Sequence, residues 1–175
     1  MAAREALETT PPEQVTLKSL ATRLGVSQPA PYRHFSSREA LLAAVAADGF
    51  VRFRQQLLAA AEDAPPSQAF ERSGLAYLRF GRENMGVYRL MFASKIPVTA
   101  DDEALEQAGT AAFNILLESV QAQVPGEQAP VIAIWIWSTL HGLVMLEAEG
   151  LNGGPLHNVT TDDVIRHMAR TFGQA

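Results

Sequence analysis

Side chains able to do covalent or metal chemistry are few in this 175-residue chain, and they do not converge. The four histidines, His34, His141, His157 and His167, share no ligand spacing, and there is no cysteine to join them. A zinc-thiolate site and a thiol nucleophile are thereby excluded. No serine sits in a nucleophile elbow, and no Gly-rich phosphate loop is present. The expectation is a protein that is not an enzyme and uses no metal or cofactor. Polar chemistry concentrates instead in residues 15–40. Lys18, Arg23, Arg33 and Arg38 stand there against Glu39 alone, a net +3 in a chain whose formal charge is −5. From residue 55 onward 7 basic residues face 14 acidic ones. A basic head on an acidic body attracts a polyanion to one end and repels it from the other.

The elements that position this segment read as helices throughout, about nine in all, with no strand pattern and no repeat. The first covers residues 2–9 and is ended by Pro11-Pro12. Thr16 can cap the second, 17–24, whose Leu17, Leu20, Ala21 and Leu24 fall at helical spacing. Ser27 can cap a third, ending near His34, and Ser36 or Ser37 a long fourth, 38–61. The fifth and sixth cover 67–84 and 85–93. A loop with Pro97 follows, then a seventh helix over 101–123, an eighth over 127–149, a Gly-rich loop with Pro155, and a ninth over 161–172. The first residues lack the apolar core of a secretory signal. The longest apolar run, 131–140, is too short for a bilayer. A cytoplasmic protein with no membrane partner is expected.

Two short helices joined by Gly25-Val26-Ser27 match a helix-turn-helix, in which the second helix enters the major groove of double-stranded DNA. Gly25 supplies the positive φ of the turn, and Val26 is expected to plug the space between the helices. The second helix carries Pro29 and Pro31. With Ser27 as N-cap, Pro29 falls where the missing N–H has no helical partner to lose. Pro31 forfeits a bond to the Ser27 carbonyl, so an irregular first turn is expected. The prolines are either rigid helix starters or a stiff apolar tip for thymine methyls.

VTLKSLATRLGVSQPAPYRHFSSREALLAAV, residues 15–45, resembles the DNA-binding head of the TetR family of bacterial transcriptional regulators. Tyr32-Arg33-His34-Phe35 before a serine-capped long helix is the most specific part. Trp137-Ser138-Thr139-Leu140-His141-Gly142 and ENMGVYRLMF, residues 83–92, are similar to the branch whose C-terminal domain bears a Trp…His-Gly signature. The resemblance implies an all-α fold with a helix-turn-helix DNA-binding domain, 1–48, and a ligand-binding and dimerisation domain, 49–175, coupled through the fourth helix. By matching position, Gln28, Ala30 and Arg33 become candidates for base edges, with Pro29 at the tip. Thr16, Lys18, Ser27, Tyr32, His34, Ser37 and Arg38 become candidates for phosphates. Phe35 is expected in the core. The first helix is shorter than the family's and no basic arm precedes it, which leaves a trimmed or truncated head as the expectation.

The eighth helix is apolar on nearly every face and needs two partners, the body core and a second chain. By resemblance, the eighth and ninth helices of two subunits form a homodimer, with Gly142 permitting close approach. Ile134, Trp137, His141 and Val144 share a stripe. They are either core or the wall of a pocket completed by Tyr77, Phe80, Tyr88, Met91, Phe92, Phe113 and Leu117. The resulting expectation is a homodimeric repressor that leaves a palindromic operator when a small apolar or aromatic effector binds. The alternative is an apolar-ligand-binding or dimerisation protein whose shortened head does not bind DNA.

Overall fold

The computed structural model describes residues 2–92, 103–124, 126–150 and 158–172. The expected loop around Pro97, the Gly-rich loop with Pro155, and His157 lie outside them. Eight α-helices are present among the described residues: α1 Ala2–Leu7, α2 Leu17–Leu24, α3 Arg38–Ala61, α4 Pro66–Glu83, α5 Met85–Met91, α6 Glu103–Gln121, α7 Ala129–Ala148 and α8 Thr161–Phe172. There is no strand among those residues. The expected count of about nine is one too high. The missing member is the third, which folds as a 3-10 turn at Pro31–Arg33. The expected eighth and ninth helices are α7 and α8.

The chain divides into two compact units. One comprises Met1–Arg52 with Asn84–Thr110, the other Phe53–Glu83 with Ala111–Ala175. In the first, Leu17, Leu20 and Ala21 of α2 turn inward with Leu41, Leu42 and Val45 of α3 and Ala6 and Leu7 of α1. Burying a side chain of that size stabilises by about 1.5–3 kcal/mol. The C-terminus of α1 lies hard against α5. A Cβ on Gly86 would stand 2.1 Å from the Leu7 carbonyl oxygen, so only glycine fits there. The Gly86 N–H then donates to the Glu8 carboxylate at 3.3 Å.

In the second unit, Phe53 packs edge-on against Tyr77 and Phe80 at 4.9 and 5.1 Å. Ala129, Ala133, Ile136, Leu140 and Val144 form the buried stripe of α7. Their spacing of three and four residues places them on one helical face. The opposite face is apolar and exposed, with Val131 at 71% and Trp135 at 55% exposure. By length and composition alone α7 could cross a membrane, yet its inner stripe belongs to the core of this unit. Arg82 of α4 links the ends of α7 and α8. Its Nε donates to Glu147 at 2.8 Å, and its Nη2 to Thr161 Oγ1 at 2.8 Å and to Asp162 at 2.7 Å. The Thr161 hydroxyl donates in turn to Glu147 at 2.9 Å.

Candidate nucleic-acid interface

Both helices that flank the turn are capped as their sequences require. The Ser19 N–H donates to Thr16 Oγ1 at 3.0 Å, and the Thr16 N–H to Ser19 Oγ at 3.1 Å, a reciprocal box at the start of α2. Gly25 closes α2 at φ +66°. Its N–H reaches the Thr22 carbonyl and the Val26 N–H reaches that of Ala21, the paired bonds of a left-handed helix stop. At the start of α3 the Ala40 N–H donates to Ser37 Oγ at 3.0 Å. Of the two serines expected to serve here, Ser37 is the cap.

Between these fixed ends, residues 27–34 run on bonds to the third residue back. Ala30 donates to Ser27, Arg33 to Ala30 and His34 to Pro31, at 2.9, 3.2 and 3.0 Å. The prolines are the cause. An α-helix would need the Pro31 N–H for the Ser27 carbonyl, and that carbonyl takes the Ala30 N–H instead. The cap position of the turn is Ala30, without a side-chain bond, so Ser27 does not act as the expected cap. Residues three apart eclipse in such a turn. Pro31 and His34, with Ala30, line an apolar cleft of about 410 Å³ whose other walls include Ala2, Leu17, Leu20 and Leu41. Gln28, Pro29, Tyr32 and Arg33 are exposed, Tyr32 at 57%. Val26 is not a plug: it is 45% exposed at the cleft rim. Phe35 is half-buried rather than core, because it lines the same cleft.

Thr16, Lys18, Ser27 and His34 are exposed, and Ala30, Ser37 and Arg38 half-buried. Arg38 has three of its five side-chain N–H donors engaged. Its Nε donates to the Val15 carbonyl at 2.8 Å, its Nη2 to the Pro12 carbonyl and its Nη1 to Glu39 at 3.2 Å. The Glu39 carboxyl is held below its ordinary pKa, first by its own backbone N–H and then by Arg38. Arg23 lies 3.9 Å from Glu5. The Arg38 clasp was not legible in the sequence, because its acceptors are backbone carbonyls and carry no side-chain signal.

The nine candidate pocket residues divide between the units. Tyr88, Met91 and Phe92 belong to the first, where Phe92 packs on Tyr88 and Phe50 at 4.7 and 5.4 Å. Tyr77, Phe80, Phe113, Leu117, Trp137 and His141 belong to the second. Tyr77 and Phe80 are buried, and Phe113, Leu117, Trp137 and His141 half-buried. Phe113 meets Trp137 edge-on at 5.9 Å, and Trp137 lies 6.5 Å from the His141 ring. Burial pushes the His141 pKa below its ordinary value. A separate cleft of about 380 Å³ in this unit is lined by Arg54, Leu58, Asn114, Ile115 and Glu118 among others.

Residues 1–45 match the family model of bacterial regulatory proteins of the tetR family, and residues 70–172 that of the tetracyclin repressor-like C-terminal domain. The chain is 30% identical over 162 residues to the HTH-type transcriptional regulator Rv0681 of Mycobacterium tuberculosis, itself uncharacterized. That match covers 89% of this chain and 69% of Rv0681. A protein of unknown function from Rhodococcus sp. RHA1 has the same fold, with a TM-score of 0.83 and 28% identity over 98% of this chain and 90% of that one. AibR, solved with isovaleryl coenzyme A and operator DNA, shares the fold at a TM-score of 0.67 and 16% identity, over 97% of this chain and 92% of its own.

Proposed function

The chain belongs to the tetR family of bacterial transcriptional regulators, DNA-binding proteins and not enzymes, and from that premise we propose that it is a homodimeric repressor released from its operator by a small apolar or aromatic molecule. Residues 1–48 form the DNA-binding domain and residues 49–175 the ligand-binding and dimerisation domain, of the branch with the Trp137…His141-Gly142 signature. The protein works in the cytoplasm, on the nucleoid when bound to DNA.

The carrying observation is the exposed row Gln28, Pro29, Tyr32 and Arg33, held between two side-chain-capped helices. Arg33 pairs with guanine and Gln28 with adenine, while Pro29 contacts a thymine methyl. Lys18, Thr16, Ser27, Tyr32, His34 and the α3 N-terminus at Ser37 meet phosphates. A head with few cations binds weakly alone, so two copies on a two-fold operator are needed. The dimer forms through α7 and α8. The outer face of α7, with Val131, Ile134 and Trp135, supports this, and so does the open space around Gly142, where a Cβ would meet nothing within 4 Å.

The effector binds among the aromatics of the C-terminal domain, with Trp137 as apolar wall and His141 as the polar contact. Tyr77, Phe80, Phe113 and Leu117 line the same site. It favours a state in which the spacing of the two heads no longer fits the half-sites. The isovaleryl group in the AibR complex, a short branched apolar acyl chain, is the kind of moiety such a wall suits. Selection of random-pool duplex DNA on the purified chain, at two salt concentrations, tests the reading. A palindrome whose enrichment falls for Arg33→Ala is expected. No enrichment at either salt, with dimerisation retained, would favour the ligand-binding or dimerisation reading without DNA.

A further inference from the structure

Arg38 is the first residue of α3, where a positive charge opposes the helix macrodipole. Something must offset that cost. The guanidinium faces the Val15 and Pro12 carbonyls and the Glu39 carboxylate, which take one N–H each from Nε, Nη2 and Nη1. Pro12 begins the 3-10 turn Pro12–Gln14, and Val15 immediately precedes the cap of α2. The Val15 carbonyl accepts no backbone N–H among the described residues, since the α2 ladder starts one residue later with Leu20 donating to Thr16 at 3.1 Å. Val15 itself is 1% exposed. A planar fork with several fixed donors can hold two carbonyls at once, whereas an ammonium group is a point charge. A phosphate arriving here would meet the Glu39 carboxylate 3.2 Å from Nη1.

We infer that Arg38 is a positioning residue for DNA recognition: it ties the start of α3 to the chain entering α2, and so sets the angle at which α2 and the 27–34 segment are presented, without itself contacting phosphate. The inference rests on the DNA-binding reading above. Lys18, on the exposed side of α2, is the contrasting phosphate cation.

The test uses the full-length chain and the duplex that the wild type selects. Affinity is measured across a salt series for Arg38→Ala, Arg38→Lys, Arg38→Gln and Lys18→Ala, at a temperature where circular dichroism shows each variant folded. If Arg38→Ala does not fold, Arg38→Lys and Arg38→Gln carry the test. The Arg38 variants should all lose affinity by about tenfold or more with the salt slope of the wild type, because no phosphate contact is removed. Lysine should fail to rescue. Lys18→Ala should make the slope shallower by about 0.9, the loss of one phosphate contact. Amide exchange at Ser19 and Leu20 should quicken in the Arg38 variants only. Wild-type affinity in Arg38→Lys, or a slope shallower by about 0.9 in Arg38→Ala, would make Arg38 a phosphate ligand and overturn the inference. A lowered melting temperature with unchanged affinity would reduce it to a stability role and overturn it too. If the wild type selects no duplex, the DNA-contact reading falls first and this inference with it. The two failures are therefore distinguishable.

Discussion

Replacing Arg82 with alanine removes three charge-assisted contacts at once and leaves Glu147 and Asp162 facing one another beside Thr161, which is buried. Hydrogen bonds to charged groups each contribute about 1.5–3 kcal/mol when well shielded. The Arg82 side chain is 39% exposed, so solvent screening reduces the sum, and about 2–3 kcal/mol for the whole cluster is the expected loss. For a chain of this size that corresponds to a fall of about 5–10 °C in melting temperature. Both tryptophans, Trp135 and Trp137, lie on α7 in the same unit as the cluster. Their fluorescence therefore reports the unfolding of this unit. The scans are run at one fixed protein concentration, because dimerisation itself shifts the midpoint. Arg82→Lys should recover only a part, since one ammonium cannot serve Glu147, Thr161 and Asp162 together. Adding Glu147→Gln to Arg82→Ala should restore some stability by removing one of the two carboxylates that lose Arg82, Glu147 keeping only the Thr161 hydroxyl and Asp162 only Arg166 at 3.9 Å. A midpoint within about 1 °C of wild type for Arg82→Ala, or full recovery with lysine, would refute the clamp.

Trp135→Glu should convert the dimer to monomer, weakening association by about a hundredfold or more, as loss of a central aromatic anchor does; light scattering after size exclusion checks it. Pro31→Ala supplies the N–H that an α-turn would aim at the Ser27 carbonyl, which now accepts the Ala30 N–H. It should change stability by less than about 1 kcal/mol, because the new bond is offset by a freer unfolded chain. The amide introduced at position 31 should then show exchange protection and the selected operator should change. His141 has a folded pKa lowered by burial, so its unfolded imidazole takes a proton first as the pH falls. Stability should be full above about pH 7, decline as the pH drops through the unfolded value of about 6.5, and become flatter over that window in His141→Gln; denaturant titrations from about pH 5 to 8 measure it.

Much of the helical skeleton is legible from local chemistry. Thr16 and Gly25 act through their own neighbours, so their residue types alone announce a cap and a left-handed stop, while Ser36-Ser37 announce a second cap that the structure places on Ser37. The buried stripe of α7 and its exposed apolar face both follow from its apolar surplus. The 27–34 segment departs from its expected helix because the helix-turn-helix pattern hides the donor count: Pro31 lacks the N–H that an α-turn needs at the Ser27 carbonyl, which takes the Ala30 N–H instead. Val26 and Phe35 are apolar and so read as core, but the cleft beneath the turn leaves both in partial contact with solvent. Arg38 belongs to a basic segment, and its backbone acceptors lie 23 and 26 residues away. The aromatic set is ambiguous for another reason. A core and a pocket wall use the same side chains at the same spacing, and Tyr77, Phe80 and Tyr88 are buried.

The proline-built 27–34 segment has a thermodynamic consequence. Two of its eight residues have φ fixed by their rings even in the unfolded chain, and its ends are anchored by the Gly25 stop and the Ser37 cap. Little conformational freedom is then left to lose when a rigid surface meets it. Association should carry a small entropic penalty and a modest heat-capacity change, unlike that of a recognition segment that folds as it binds. A head of this kind discriminates by fit rather than by adaptation: a duplex that does not match its shape gains nothing from rearrangement of the protein.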